Sequence, residues 1–138
     1  MDEYYSVIQF LPEPLRTELK AMPPERAARV QEIRLRAGQA VQFTVGGAWQ
    51  PAQQLLPAAQ TALAIGPRML RSCFAALCRD SAYAYEDELK QGYFPLPGGS
   101  RVGVAGVCGP AGFADITSLN LRVARQVPCV LPPQLRRT

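Results

Sequence analysis

Residues 92 to 107 read GYFPLPGGSRVGVAGV, and this stretch decides what kind of sheet the chain builds. Tyr93, Phe94 and Leu96 are strand formers on one side of Pro97-Gly98-Gly99. Val102, Val104 and Val107 follow on the other side. Glycine reaches positive φ without a Cβ clash, so Gly-Gly between two apolar runs predicts a β-hairpin. Gly103, Ala105 and Gly106 stand between the valines. Small residues there predict a strand that another backbone or helix approaches closely.

Upstream, the same period-two pattern appears twice more. Gln31 to Ala37 places Ile33, Leu35 and Ala37 on one face and Glu32, Arg34 and Arg36 on the other, which predicts a half-buried strand. Gly38-Gln39 then turns the chain into a second strand with Val41, Phe43 and Val45 alternating with Gln42 and Thr44. Gly46-Gly47 turns it again, and Ala48 to Gln50 predicts a short third strand of an antiparallel meander. Downstream of the hairpin, Cys108 to Phe113 reads as a Gly/Pro turn and Asp115 to Ser118 as the lead into a last strand. In that strand Leu119, Leu121 and Val123 share one face, and Asn120, Arg122 and Ala124 share the other.

Helical spacing is carried by Tyr4, Val7, Ile8 and Leu11, then by a short run from Leu15 to about Met22 that Pro23-Pro24 stops. A further turn is expected from Glu25 to Arg29. The clearest helix runs from about Arg68 to Arg79, where Met69, Leu70, Cys73, Phe74, Leu77 and Cys78 form one apolar stripe. Ser81 is placed to cap another, with Tyr83 and Tyr85 near its start, Leu89 near its end and Gly92 as its C-terminal glycine. Pro51 to Ile65 reads as a connection with a strand or helical turn around Thr61 to Ile65. The fold expected is therefore α+β, a small antiparallel sheet of hairpins packed against two or three helices. Residues 1–29 form an N-terminal helical segment, 30–126 the α+β domain, and 127–138 an irregular, proline-bearing linker.

Composition narrows the function. The chain has 138 residues, 48% of them hydrophobic and 19% charged, enough for one folded domain. No apolar run approaches the roughly twenty residues that span a bilayer, and the N-terminus lacks a signal-peptide pattern. A cytoplasmic protein without direct membrane insertion is expected. The net charge of +4 comes from Lys and Arg, with arginine far outnumbering lysine, which favours bidentate contacts to carboxylates or phosphates. Histidine is absent, which removes the Ser-His and Cys-His routes to a nucleophile. Cys73, Cys78, Cys108 and Cys129 contain no C-x-x-C pair and read as buried small hydrophobes rather than zinc ligands. The acidic run Glu86, Asp87 and Glu88 reads as a solvated helix face. No catalytic residue, metal or cofactor is expected in this chain, and no enzyme.

Three blocks carry a family likeness: EIRLRAGQAVQF at 32–43, YAYEDELKQGYFPLPGGSRVGVAG at 83–106 and ITSLNLRVARQV at 116–127. In order and spacing they resemble the stage III sporulation protein AA family, while the first 29 residues match only loosely. The resemblance implies the N-terminal portion of a P-loop ATPase related to the ATPases of type II and type IV secretion. Members continue into a core where G-x-x-x-x-G-K-[ST] holds the phosphates of ATP with Mg²⁺. The nearest glycine cluster here, GVAGVCGPAG at 103–112, lacks the lysine and the hydroxyl and follows a hairpin instead of opening a helix. The chain thus resembles the N-terminal domain of secretion ATPases without the motor. The implied partners are its own ATPase core, neighbouring subunits of a homo-hexamer, and membrane proteins of a sporulation channel complex. The implied location is cytoplasmic, peripheral to that complex in the sporulating cell.

The arginines admit two readings. They form a solvated strand face paired to Glu32, Asp87 or Asp115, which adds little stability. Alternatively, as the resemblance implies, Arg101, Arg122 and Arg125 approach the nucleotide at the domain boundary, where guanidinium groups offset phosphate charge. Arg34, Arg36, Tyr83 and Tyr85 are candidate interface residues. The alternative function is a stand-alone basic nucleic-acid-binding module on the arginine-bearing sheet. Two tyrosines are too few to make base stacking the better reading, so nucleic acid is not the expected partner.

Overall fold

The computed structural model describes residues 2–56, 64–79, 92–109 and 112–125. In chain order the elements are α1 (Glu3–Ile8), α2 (Leu15–Lys20), α3 (Pro24–Ala27), β1 (Val30–Arg36), β2 (Gln39–Ala40), β3 (Gln42–Val45) and β4 (Ala48–Pro51). There follow α4 (Ala52–Leu55), β5 (Ala64–Ile65), α5 (Pro67–Cys78), β6 (Tyr93–Pro95), β7 (Arg101–Gly109) and β8 (Gly112–Arg122). Six strands make one sheet in the order β4-β3-β1-β8-β7-β6, every neighbour antiparallel. The α+β expectation holds. The sheet is two meanders joined side by side: β1, β3 and β4 from one half of the chain, and β6, β7 and β8 from the other. The seam is β1 against β8, from Glu32 opposite Arg122 to Arg36 opposite Ser118. β2 and β5 form a separate two-stranded ribbon.

Period-two alternation sorts the residues of this sheet. Ile33, Leu35, Phe43, Phe94, Val102, Leu119 and Leu121 are all buried on one face, and the helices supply the rest of the same cluster. From α5 come Leu70, Cys73, Leu77 and Cys78, with Phe74 edge-on to Phe94 at 6.3 Å between ring centres. From α1 come Tyr4, Val7 and Ile8, followed by Leu11, so the helical spacing read near the N-terminus is the spacing that is buried. The Tyr4 ring lies 6.2 Å from that of Phe43, and its hydroxyl donates to the Leu19 carbonyl of α2 at 2.6 Å. Burial holds that hydroxyl protonated well above the ordinary tyrosine range. It also pushes the Cys73 thiol up to about 12 and the Cys78 thiol to about 11, so both are unreactive packing groups at neutral pH. Among the described residues no helix is long and apolar enough to cross a membrane.

The hairpin at 92–107 forms as its sequence predicts, with Tyr93 opposite Gly103 and Pro95 opposite Arg101. Gly98 and Gly99 both take φ near +95°, a conformation side chains rarely adopt. Ser100 is buried and accepts from the Ala124 amide at 3.0 Å, tying the turn to the chain just past β8.

Beyond the hairpin the ladder runs further than its glycines and prolines predict. Cys108 to Phe113, expected as a turn, is ladder: Cys108 pairs with Phe113 and Gly109 with Gly112. Asp115 to Ser118, expected as a lead-in, belongs to β8. Two register shifts, between Ala105 and Gly106 and between Val107 and Cys108, let the strands continue. Bulges re-aim a strand without ending its pairing, so glycine there marks a bend and not a stop. The helix expected from Ser81 to Leu89, with Tyr83 and Tyr85, lies outside the described residues, as does the segment 127–138.

The close backbone approach expected along this strand falls at one glycine. A Cβ on Gly106 would meet the Asp115 carbonyl oxygen at 2.0 Å, whereas one on Gly103 would meet nothing nearer than 3.7 Å. Gly106→Ala should therefore lower stability by about 1–3 kcal/mol through overpacking against rigid backbone, and Gly103→Ala should be neutral or slightly stabilising. Urea unfolding of the two variants checks the contrast.

Candidate functional site: an open basic sheet face

Among the described residues the second face of the sheet carries no helix residues of the buried cluster, and the strand register places its side chains in rows. One row runs Trp49, Thr44, Glu32, Arg122, Arg101, Pro95 across β4, β3, β1, β8, β7 and β6. The next runs Pro51, Gln42, Arg34, Asn120, Gly103, Tyr93, and the third holds Arg36, Ser118 and Ala105. Four arginines thus share the three rows with one carboxylate, Glu32. Asp115 lies further along β8, past the bulge, where it accepts from the Ile116 amide at 3.0 Å.

Arg101 and Arg122 sit directly opposite one another and both are exposed. Like charges in that relation repel. Arg122 leans towards Glu32, with its Nη2 3.1 Å and its Nε 3.2 Å from Oε1. Arg101 instead lies over the Tyr93 ring, 5.7 Å from its centre. Arg34 stacks on Trp49 at 3.7 Å, closer than an ordinary cation–π contact requires. Trp49 and Tyr93, at 37% and 40% exposure, are the large hydrophobic side chains left on the surface of the described residues, and both lie on this face. Beside Trp49 an open cleft of about 500 Å³ is lined by Gln31, Glu32, Thr44, Trp49, Arg122 and Arg125, among others. Thr44 Oγ1 in this cleft and Asn120 Oδ1 in the next row are shielded from solvent with no hydrogen-bond partner among the described residues.

Arg125 behaves differently from its neighbours. Its Nε donates to the Val30 carbonyl at 3.1 Å. Its Nη1 donates to Asp2 Oδ1 at 2.7 Å and Glu3 Oε2 at 3.3 Å. Its Nη2 donates to the carbonyls of Ala27 at 2.5 Å and Val30 at 2.6 Å. A guanidinium has five N–H groups, so none is left over. The side chain is 20% exposed. It clasps the start of α1 and the α3–β1 junction to the chain beyond β8.

The structure therefore brings Arg34, Arg36, Arg101 and Arg122 together on one face and separates Arg125 from them. Arg122 with Glu32 is one of the pairings the sequence reading named. Trp49 and Tyr93 join this face without a sequence motif that marks them. Trp49 was legible in principle, because a strand after Gly46-Gly47 must pair back on β3 and set it opposite Thr44. Among the described residues no group of three or more Cys, Asp or Glu side chains comes together to hold a metal ion.

Residues 1–135 match the family model described as sporulation stage III, protein AA. The match includes the first 29 residues, which the sequence blocks covered only loosely and which share the core. Stage III sporulation protein AA of Bacillus subtilis (strain 168) is 33% identical over 134 residues, covering 94% of this chain and 41% of that protein. The chain therefore spans about two-fifths of the length of that curated relative. The crystal structure of the VirB11 ATPase from the Brucella suis type IV secretion system, in complex with sulphate, superposes with a TM-score of 0.49 at 19% identity. That superposition covers 90% of this chain and 33% of the VirB11 chain.

The clasp makes a pH-dependent prediction. Burial alone would raise the Asp2 carboxyl, but the Tyr4 amide and the Arg125 guanidinium together hold it below its ordinary 3.8. A carboxylate depressed in the folded state contributes stability above its unfolded pKa and loses that contribution as pH falls through the folded value. Arg125→Ala should cost about 2–4 kcal/mol at pH 7, since it strands two carboxylates and two carbonyls. Arg125→Lys should recover only part of this, because an ammonium lacks the planar fork. Asp2→Asn should be less stable than the parent at pH 7 and indistinguishable from it well below pH 3.8. Urea melts at the two pH values measure both.

Proposed function

The chain belongs to the sporulation stage III protein AA family, and on that premise we propose that it is the N-terminal assembly and regulatory domain of a sporulation ATPase. In this reading the full-length protein binds ATP and Mg²⁺ outside these residues and powers or assembles a secretion-like channel during endospore formation. The domain meets its own ATPase core and those of neighbouring subunits, in a ring that the secretion-ATPase analogy makes hexameric. The protein works in the cytoplasm against membrane proteins of the channel complex.

One observation carries the reading: arginines are concentrated on a sheet face that the described helices leave open. Arg101 and Arg122 are exposed and side by side, so their donors fit an anion such as a nucleotide phosphate. ATP held by the core would have its phosphate charge offset by these two side chains. Arg125 is left out of that role, because its donors are committed to the clasp.

Turnover by the full-length protein tests this. Arg101→Ala combined with Arg122→Ala should lower ATP hydrolysis by roughly 10²-fold or more, the scale on which losing one preorganised donor to a developing anion slows catalysis. Both residues are exposed, so the fold should persist, and thermal melts check that it does. Unchanged turnover in the folded double variant would remove the proposal.

A further inference from the structure

From the same face we infer that a polypeptide partner docks here: an extended acidic segment that runs along β1, its carboxylates on Arg34 and Arg36 and one end in the cleft beside Trp49. The inference does not need the ATPase reading, since it concerns the β1–β4 half of the face and no nucleotide.

Charge complementarity is the first argument. Four arginines against one carboxylate give the three rows a net charge of about +3, and on the β1–β4 half Arg34 and Arg36 share β1 with that one carboxylate, Glu32. Arg34 and Arg36 are two residues apart on one strand, roughly 6.7 Å, which is also the spacing of alternate side chains in an extended peptide. Acidic residues at every second position would meet both guanidinium groups from one side, each in a bidentate contact.

The second argument separates a polypeptide from the other common polyanion, a nucleic acid strand. Single-stranded nucleic acid is held by aromatic rings on which successive bases stack. Trp49 and Tyr93 lie on the two outermost strands, five strand spacings or roughly 24 Å apart. Each already has an arginine over it. No two bases in succession could use them.

Trp49 is the single tryptophan of the chain, so the docking site carries its own reporter. The test titrates the 138-residue chain with a fluorescein-labelled dodecapeptide of alternating glutamate and threonine, reading anisotropy, and with the unlabelled peptide, reading Trp49 emission. A dodecathymidylate strand is run in parallel. The expected result is saturable peptide binding at low salt with a change in Trp49 emission. Arg36→Glu and Arg34→Gln should each weaken it at least tenfold. Arg16→Glu, which removes an exposed arginine of α2 and lowers net charge equally to Arg36→Glu, should change it less than twofold. Three outcomes each overturn the inference: no peptide binding at low salt, equal weakening by Arg36→Glu and Arg16→Glu, or tighter binding of the dodecathymidylate with the same arginine dependence. Arg36 is exposed, so its variant reads binding and not folding, and a circular dichroism melt verifies that. Because the titration contains no nucleotide, its failure leaves the turnover proposal standing, and the reverse also holds.

Discussion

The pairing of β1 with β8 is the constraint on which the rest of the molecule depends. It joins residues 32–36 to residues 118–122, and without it the chain holds two separate three-stranded meanders. Such a seam closes a long loop before any of its contacts form, so it needs strong local reward at the point of closure. The structure supplies that reward in layers. Ile33 pairs with Leu121 and Leu35 with Leu119, and all four are fully buried. Past the last rung the Val123 amide still donates to the Gln31 carbonyl at 2.9 Å. Ala124 then reaches Ser100, and Arg125 takes hold of residues 2, 3, 27 and 30.

That layering explains why the two faces of the sheet have different tasks. The helices are short, six residues for α1 and α2 and twelve for α5. They cover one face and become part of one core. Among the described residues none of theirs covers the other face, whose side chains are of kinds tolerable in water. Long arginine stems with solvated heads satisfy this, and Arg34 also shields Trp49 by lying on it. A surface built this way is stable alone and still presents unsatisfied charge.

The sequence made the strands legible because period-two alternation is a direct image of one-sided burial. Spacing alone puts Ile33, Leu35, Phe43, Leu119 and Leu121 on apolar strand faces, and all five are buried. The Gly-Gly turns at 46–47 and 98–99 were equally readable. The long β7–β8 hairpin was not, since glycine and proline at 109–112 signal a stop, whereas two bulges upstream let the ladder run on to Gly112. Which strands neighbour which was also hidden: alternation shows a face and says nothing of its partner. The basic face follows only once β1 and β8 are set side by side, because Arg34 and Arg36 come from one end of the chain and Arg101 and Arg122 from the other. Trp49 and Tyr93 join it for the same reason.

Arg122 and Arg125 show how far residue type falls short of role. They stand three apart in LNLRVAR, and the sequence gives no ground for treating them differently. Arg122 is the last residue of β8 and points where alternation sends it, to the open face, with 71% of its side chain exposed. Arg125 comes after β8 has ended, beside the carbonyls of Ala27 and Val30, and it donates to both. Two backbone acceptors and two carboxylates therefore converge on one guanidinium. The difference between a surface charge and a structural clasp lies in where the ladder stops, a property of the pairing with β1 and not of the arginine. A role carried to this chain from a resemblance needs that register before it can be assigned to one arginine rather than the next.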